Sequence, residues 1–209
     1  MYSESIEKLI KLFAKFPTIG PRTAARFVFY LIDSPTAEVK ELLRVIAETK
    51  NKIEICSQCN KPFEPEFGQK ADAILCEICA DVRRNQNQIC VVEKEMDLEA
   101  IEKTGNFKGV YFILGSVARI DKNQEIMENK VRTLTAQIKQ KMTQKRQGQI
   151  EVIIALNPTP EGQNGSLWLR RRLGELSIKI TQLGLGMPMG GEIEYADEST
   201  ISSAFEGRK

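Results

Sequence analysis

Histidine is absent from this chain, and that absence removes a large part of enzyme chemistry. No Ser-His or Cys-His pair can be assembled, so hydrolysis of the triad kind is excluded. Any zinc site would have to be built from thiolates or carboxylates. A general acid or base would be Glu, Asp, Lys, Tyr or Cys. Long apolar runs are missing as well: none approaches the roughly 18 residues of a membrane span, and no signal peptide is recognisable, so a cytoplasmic protein is expected. Charge of one sign is not in excess either. With 30 basic and 28 acidic residues the net charge is +2, so there is no global field for a polyanion and any nucleic-acid contact must come from local clusters.

What is present is ordinary globular composition, 42% hydrophobic and 28% charged over 209 residues, enough for one large domain or two to three small ones. Five cysteines stand out: Cys56, Cys59, Cys76, Cys79 and Cys90. Four form two C-x-x-C pairs, and in a reducing cytosol such pairs point to metal before disulfide. Each pair can present two sulfurs to one ion, giving a tetrahedral four-thiolate zinc site that is structural because no coordination position stays open. The other reading is two redox or incidental pairs. Cys90, inside an apolar strand, reads as a buried small hydrophobe.

Residues 1–50 read as helical. Ile6, Leu9, Ile10, Phe13 and Phe16 recur at helical spacing, "PTIGPRTAAR" interrupts, and Ala24, Phe27, Val28 and Leu31 mark a second helix. Ser34 as N-cap and Pro35 at the first position open a third, with Val39, Leu42, Leu43 and Ile46 as its apolar stripe. Residues 53–85 carry the cysteine pairs around a Pro- and Gly-containing insert, and this stretch has too few apolar residues to build a core without a staple. From residue 88 strands and helices alternate: "QICVVEK", a helix opened by Asp97 and closed by Gly105, "GVYFILG", a long amphipathic helix over Met127 to Met142, "IEVIIAL", a helix with Leu169, Leu173 and Leu176, and "SIKIT". This rhythm predicts a largely parallel sheet covered by helices. A glycine-rich tail ends in a short strand and a short helix.

Two further constellations bear on chemistry. "FPTIGPRTAARFVFYL" has the form of a helix-hairpin-helix, whose turn offers backbone amides to a phosphate while Lys15, Arg22 and Arg26 supply cations. Arg22 and Arg26 lie four apart and share a helical face. Thr18 stands where such hairpins usually place a glycine. The alternative is a plain helical turn with solvated charges. The second constellation is acidic: Glu93 ends the first strand, Asp97 opens the next helix, and Glu161 lies in "LNPTPEGQNG" after the third strand. Carboxylates at the carboxyl ends of parallel strands can converge on a divalent cation, or they can be solvated residues and caps. Asn157 and Gln163 offer only neutral oxygens, so Glu161 is the one fixed negative charge of that loop.

Taken in order, the hairpin, both C-x-x-C pairs, "CEICADVRRNQNQICVVEKEMDLEAIEKTGNFKGVYFILG", "NPTPEGQ" and "GMPMGGEIEYADESTISSAFEGR" resemble the bacterial RecR family of recombination mediator proteins. The resemblance runs over nearly the whole chain. It implies an α/β multidomain protein: a helix-hairpin-helix DNA-binding region at 1–53, a four-cysteine zinc finger at 54–84, a Toprim domain at 85–184 and a C-terminal glycine-rich segment at 185–209. It implies a non-enzymatic DNA clamp that forms a homo-oligomeric ring, a dimer or tetramer, acts in the cytoplasm at the nucleoid, and works with RecO and RecF to load RecA. Carried onto this sequence, Arg22 and Arg26, with Lys15 nearby, contact DNA. Cys56, Cys59, Cys76 and Cys79 hold one structural Zn2+ per chain. Glu93, Asp97 and Glu161 are the Toprim acids, a weak Mg2+ site or a contact for partner or DNA.

The chain departs from the family pattern in the longer insert between the cysteine pairs, in "SVARIDKNQEIMEN" where the family has a Ser-Pro, glycine-rich loop, and in Gln163 where a carboxylate is common. Lys139, Lys141, Lys145 and Arg146 on the long helix read as a solvated face. Two other functions compete: an Mg2+-dependent Toprim nuclease, and a zinc-stapled scaffold recruited by a partner without DNA binding of its own. Tyr2, Tyr30, Tyr111 and Tyr195 lie in no cleavage motif, which weighs against the nuclease. "LNPTPEGQNG" therefore reads as the remnant of a catalytic loop.

Overall fold

The structure, a computed structural model, describes residues 2–65, 74–117, 124–143, 148–187 and 189–208. It divides into two units, residues 1–53 and 54–209.

The first unit is three helices. Helix α1, Glu4–Phe13, carries Glu4 and Glu7 in its first turn and Lys11 in its last, as the helix dipole favours. Helix α2, Pro21–Asp33, begins on proline, whose missing N–H costs nothing at a helix start. The two pack against each other, with Ala24 and Val28 buried and Phe13 edge-on to Phe27 at 5.9 Å. Helix α3 runs Thr36–Lys52 and starts later than expected. Ser34 does not cap it: its hydroxyl donates to the Tyr30 carbonyl at 2.7 Å and so closes α2. The cause is Pro35, which keeps Ser34 extended (ψ 149°) and itself becomes the N-cap of α3. The apolar stripe of α3 is not covered: Leu42, Leu43 and Ile46 are 45%, 62% and 56% exposed.

The second unit is built on a sheet. A short antiparallel hairpin, β1 (Glu54–Ile55) and β2 (Pro62–Phe63), and the single turn α4 (Glu77–Ala80) form a lobe around the cysteines. Then follow β3 (Asn85–Val92), α5 (Glu95–Glu102), β4 (Gly109–Ile113), α6 (Gln124–Thr143), β5 (Glu151–Ala155), α7 (Pro160–Leu173) and β6 (Lys179–Gln182). The four strands β3 to β6 are parallel, in the order β4-β3-β5-β6, so the expected parallel sheet is present.

Alternation along the strands sorts the core onto two faces. Ile89, Val91, Val110, Phe112, Val152 and Ile154 meet Met127, Val131, Leu134 and Ile138 of α6 and Leu169 and Leu173 of α7. Cys90, Val92, Tyr111 and Ile113 meet Leu98 of α5 and the cysteine lobe. Every residue of β4 is buried, as expected for a parallel strand covered on both faces. Cys90 is buried as expected, and burial pushes its thiol up to about 12.

Three local expectations change. Helix α5 opens two residues before Asp97, because Asp97 sits inside the first turn and accepts from the Lys94 amide at 3.2 Å. The last strand spans Lys179–Gln182 rather than 177–181. In the tail the expected strand is a 3-10 turn, Ile193–Tyr195, followed by α8, Glu198–Glu206, capped by Asp197, which accepts from the Ser199 and Thr200 amides.

Candidate metal centre and nucleic-acid interface

The four paired cysteines converge. Cys56 leaves β1, and the chain turns back through Cys59 with the Asn60 amide donating to the Cys56 carbonyl at 3.0 Å. The turn needs a left-handed residue, and Asn60 supplies it at φ 64°. Cys76 is the N-cap of α4 and Cys79 lies within that helix, the Ala80 amide closing the turn onto Cys76. All four sulfurs lie within 4.8 Å of one another, and all four cysteines are buried. Backbone amides point at two of them: Lys61 N–H to Cys59 Sγ and Cys76 N–H to Cys56 Sγ, each at 3.4 Å.

This donor set suits a cation. Four sulfurs this close cannot all ionise without one. Cys56, which accepts from Cys59 and then from Cys76 and Cys79, is driven well below the ordinary thiol range. Cys79 is driven far up, by Cys56 first and then Cys59 and Cys76. A bound metal replaces that mutual suppression with attraction and takes all four as thiolates. No position would remain for substrate, so the group that fits is structural. Residues 66–73 of the insert lie outside the described residues; at its far end the Ile74 carbonyl accepts from the Ser57 amide at 2.9 Å.

The lobe is fastened to the sheet. The Ile113 amide, on the outer edge of β4, donates to the Cys59 carbonyl, and Asn60 Nδ2 donates to the Ile113 carbonyl. Lys61 adds ion pairs to Glu77 at 2.5 Å and Glu99 at 3.4 Å. Beneath, Arg84 pairs with Glu102, which also accepts from the buried Tyr111 hydroxyl at 2.8 Å. Neither Asn60 nor Tyr111 stood out as a site residue in the sequence. An Asn directly after C-x-x-C is the one available signal, since it marks the left-handed residue of the knuckle.

In the first unit, α1 and α2 are joined by residues 14–20, with the Ile19 amide donating to the Phe16 carbonyl at 3.2 Å. Thr18 adopts φ 64°, the conformation for which such hairpins use glycine. No side chain caps the start of α2, so the Arg22 and Thr23 amides have no intrahelical acceptor. Lys15, Arg22 and Arg26 are exposed around this end, with no ion pair among the described residues. The geometry can present amides and guanidinium groups together to an anion.

The acids occupy the carboxyl ends of the central strands, where the strand order reverses between β3 and β5. Glu93 follows β3 and accepts from Asn157 Nδ2 across the crevice at 3.2 Å. Asp97 is turned back onto the Lys94 amide, and Glu161 is exposed in the first turn of α7. Among the described residues the four cysteines are the one group of three or more acidic or thiol ligands that comes together; the three acids do not. Thr159 caps α7 by accepting from the Gly162 amide, so "NPTPEGQ" works as a strand-to-helix turn. Of the divergent loop after Gly115, residues 118–123 lie outside the described residues, as do Lys145 and Arg146.

Comparison with known proteins agrees along the chain. The family model "RecR, helix-hairpin-helix" matches residues 6–50, "Toprim domain" residues 87–184 and "RecR, C-terminal" residues 186–209. A protein named Recombination protein RecR from Bifidobacterium animalis subsp. lactis is 39% identical over 209 residues, covering 100% of this chain and 97% of the relative. One of the same name from Chlorobium chlorochromatii is 38% identical over 206 residues, covering 99% and 97%. Another from Dehalococcoides mccartyi is 39% identical over 206 residues, covering 98% and 94%.

Proposed function

The chain belongs to the RecR family of recombination proteins, and from that membership we propose that it is a non-enzymatic DNA clamp and recombination mediator in recombinational repair. The observation that carries the reading is the uncapped start of α2, with exposed Arg22 and Arg26 one turn apart on it and Lys15 in the hairpin. Phosphate oxygens would take the free amides and both guanidinium groups at once, a sequence-independent grip.

The four cysteines would hold one Zn2+, which supplies cross-linking of the lobe and no chemistry on a substrate. Their part is to hold that lobe against the sheet. Glu93, Asp97 and Glu161 act in this reading as contacts for partner or DNA rather than as a Mg2+ centre. The reading is supported by the side-chain commitments of Glu93 to Asn157 and Asp97 to Lys94.

One chain of this size does not encircle a duplex, so the clamp is a homo-oligomer. The open apolar stripe of α3 and the exposed Met189, Ile193, Tyr195 and Phe205 of the tail support assembly. Within the family's reaction the clamp would act with RecO-like and RecF-like proteins to load RecA, in the cytoplasm. The working division is 1–53 for DNA, 54–84 for zinc, 85–184 for the Toprim sheet and 185–209 for contacts.

Charge reversal of R22E/R26E tests the DNA face. The double variant is expected to lose salt-sensitive DNA binding while retaining its metal. Undiminished binding would end the assignment, and Mg2+-dependent nicking by the pure protein that vanishes in Glu93→Ala would replace it with the nuclease reading. Binding that appears only on adding a RecO-like partner would favour the scaffold.

A further inference from the structure

On the sheet face away from the cysteine lobe, α6 and α7 lie side by side. A groove of about 400 Å³ runs between them, lined by Glu128, Arg132, Thr135, Ala136, Lys139 and Arg172. We propose that this groove is a second contact surface for the phosphate backbone of nucleic acid. It sits on the sheet unit, whereas the hairpin belongs to the first, and it shares with the proposed function only the class of ligand.

Three cations face one carboxylate, and that carboxylate is already engaged. Glu128 is ion-paired to Arg172, whose guanidinium also stands 5.8 Å from the centre of the Trp168 ring. Arg172 is thereby fixed from two sides. Arg132 and Lys139 are exposed and have no ion pair among the described residues. Seven residues apart, they stand on one face of α6 about 10 Å along its axis. That separation lets the two cations reach different phosphates of one strand, as two independent contacts require. Thr135 and Ala136, small and set between them, let a sugar-phosphate backbone approach the helix, and the threonine hydroxyl can donate to a phosphate oxygen.

Position gives α6 this role. Met127, Val131, Leu134 and Ile138 hold it to the sheet. Gln137 donates to the Gln58 carbonyl at 3.0 Å and Lys141 to Gln86, so its other flank is tied to the lobe and to the start of β3. The flank toward α7 is the one left to bind.

The test uses the full chain and its single tryptophan, Trp168, as a reporter beside the groove. Binding to a labelled DNA duplex is measured across a NaCl series for wild type, R132Q/K139Q, R132E/K139E and R22E/R26E, with far-UV circular dichroism to verify folding. In R132Q/K139Q the slope of log affinity against log salt is expected to fall by about 1.8, or 0.9 per lost phosphate contact. The same variant should lose the Trp168 fluorescence change that DNA causes. R132E/K139E should weaken binding on the order of tenfold, while R22E/R26E keeps the Trp168 change at saturating DNA. A wild-type slope and Trp168 response in R132Q/K139Q overturn the groove and leave the hairpin untouched. A wild-type result in R22E/R26E alone overturns the hairpin and leaves the groove. If polyglutamate shifts Trp168 and DNA does not, the occupant is an acidic polypeptide and the proposal fails; if neither shifts it, the groove binds no polyanion and the proposal fails too.

Discussion

The Ile113 amide donates to the Cys59 carbonyl at 2.8 Å, and the side-chain amide of Asn60 donates back to the Ile113 carbonyl at 3.1 Å. Through this pair of bonds the cysteine lobe covers the open edge of β4, which would otherwise present unpaired backbone groups. The cysteines and the sheet residues Cys90, Val92, Tyr111 and Ile113 also share one apolar cluster. The cysteine cluster and the sheet therefore form one structure.

Metal removal should consequently be felt on the far side of the sheet. Treatment with a strong chelator, or Cys59→Ser, is expected to lower the unfolding midpoint reported by Trp168 by on the order of 5–10 °C. Trp168 packs on the opposite face, so an unchanged midpoint would mean that the lobe folds and unfolds on its own.

Gly162 is fixed by contact rather than by backbone angle. A Cβ there would fall 1.9 Å from the Asn157 carbonyl oxygen, a backbone atom that cannot step aside without moving the whole turn. Gly162→Ala should cost about 3 kcal/mol or more and break the Asn157 to Glu93 bond. Gly184→Ala, where nothing lies within 4 Å, serves as the control and should stay within about 0.5 kcal/mol. Chemical denaturation of both variants distinguishes contact from general intolerance of the loop.

Thr18 carries strain of the other kind. At φ 64° a β-branched residue is disfavoured by about 1–2 kcal/mol relative to glycine, partly offset by the greater freedom of glycine in the unfolded chain. Thr18→Gly is therefore expected to stabilise the helical unit by roughly 0.5–1 kcal/mol, read as a higher urea midpoint of the first transition. A lower midpoint would show that the Thr18 side chain contributes more than its backbone costs.

Glu102 sets an acid limb of stability. The Arg84 guanidinium holds its carboxyl below the ordinary 4.5, with burial opposing and the Tyr111 hydroxyl assisting. A depressed carboxylate stabilises the fold fully above its unfolded value and loses that contribution as pH falls through the folded value. Wild-type stability should therefore fall below about pH 4.5 more steeply than that of Glu102→Gln, measured as thermal midpoint against pH. At neutral pH the variant should be less stable, because Arg84 is left without its carboxylate. Parallel acid limbs in the two proteins would refute the assignment.

Much of the molecule was legible in the residues. The double C-x-x-C spacing foretold the thiolate cluster because a knuckle is a contact within a few residues. The strand and helix alternation from residue 88 foretold the parallel sheet because β3, β4 and β5 carry apolar residues on both faces. Local reading failed where a residue had two uses. Ser34 suits an N-cap in sequence but closes the preceding helix, since proline after it holds it extended. Asp97 suits a helix opening in sequence, yet it serves from inside the first turn of α5.

By itself the sequence determined what chemistry is barred and which groups lie near each other along the chain: no histidine, paired thiolates, arginines four apart after a proline start, apolar strand runs alternating with helices. Tertiary structure alone decided what these groups face. It set Cys59 against Ile113, joined Glu93 to Asn157 where the strand order reverses, and left the stripe of α3 open. It also brought Arg132 and Lys139 beside Arg172 in one groove. The physical reason is that spacing governs contacts within a turn, whereas apposition across roughly 30 or 60 residues follows from strand order and from which face of each helix the core claims.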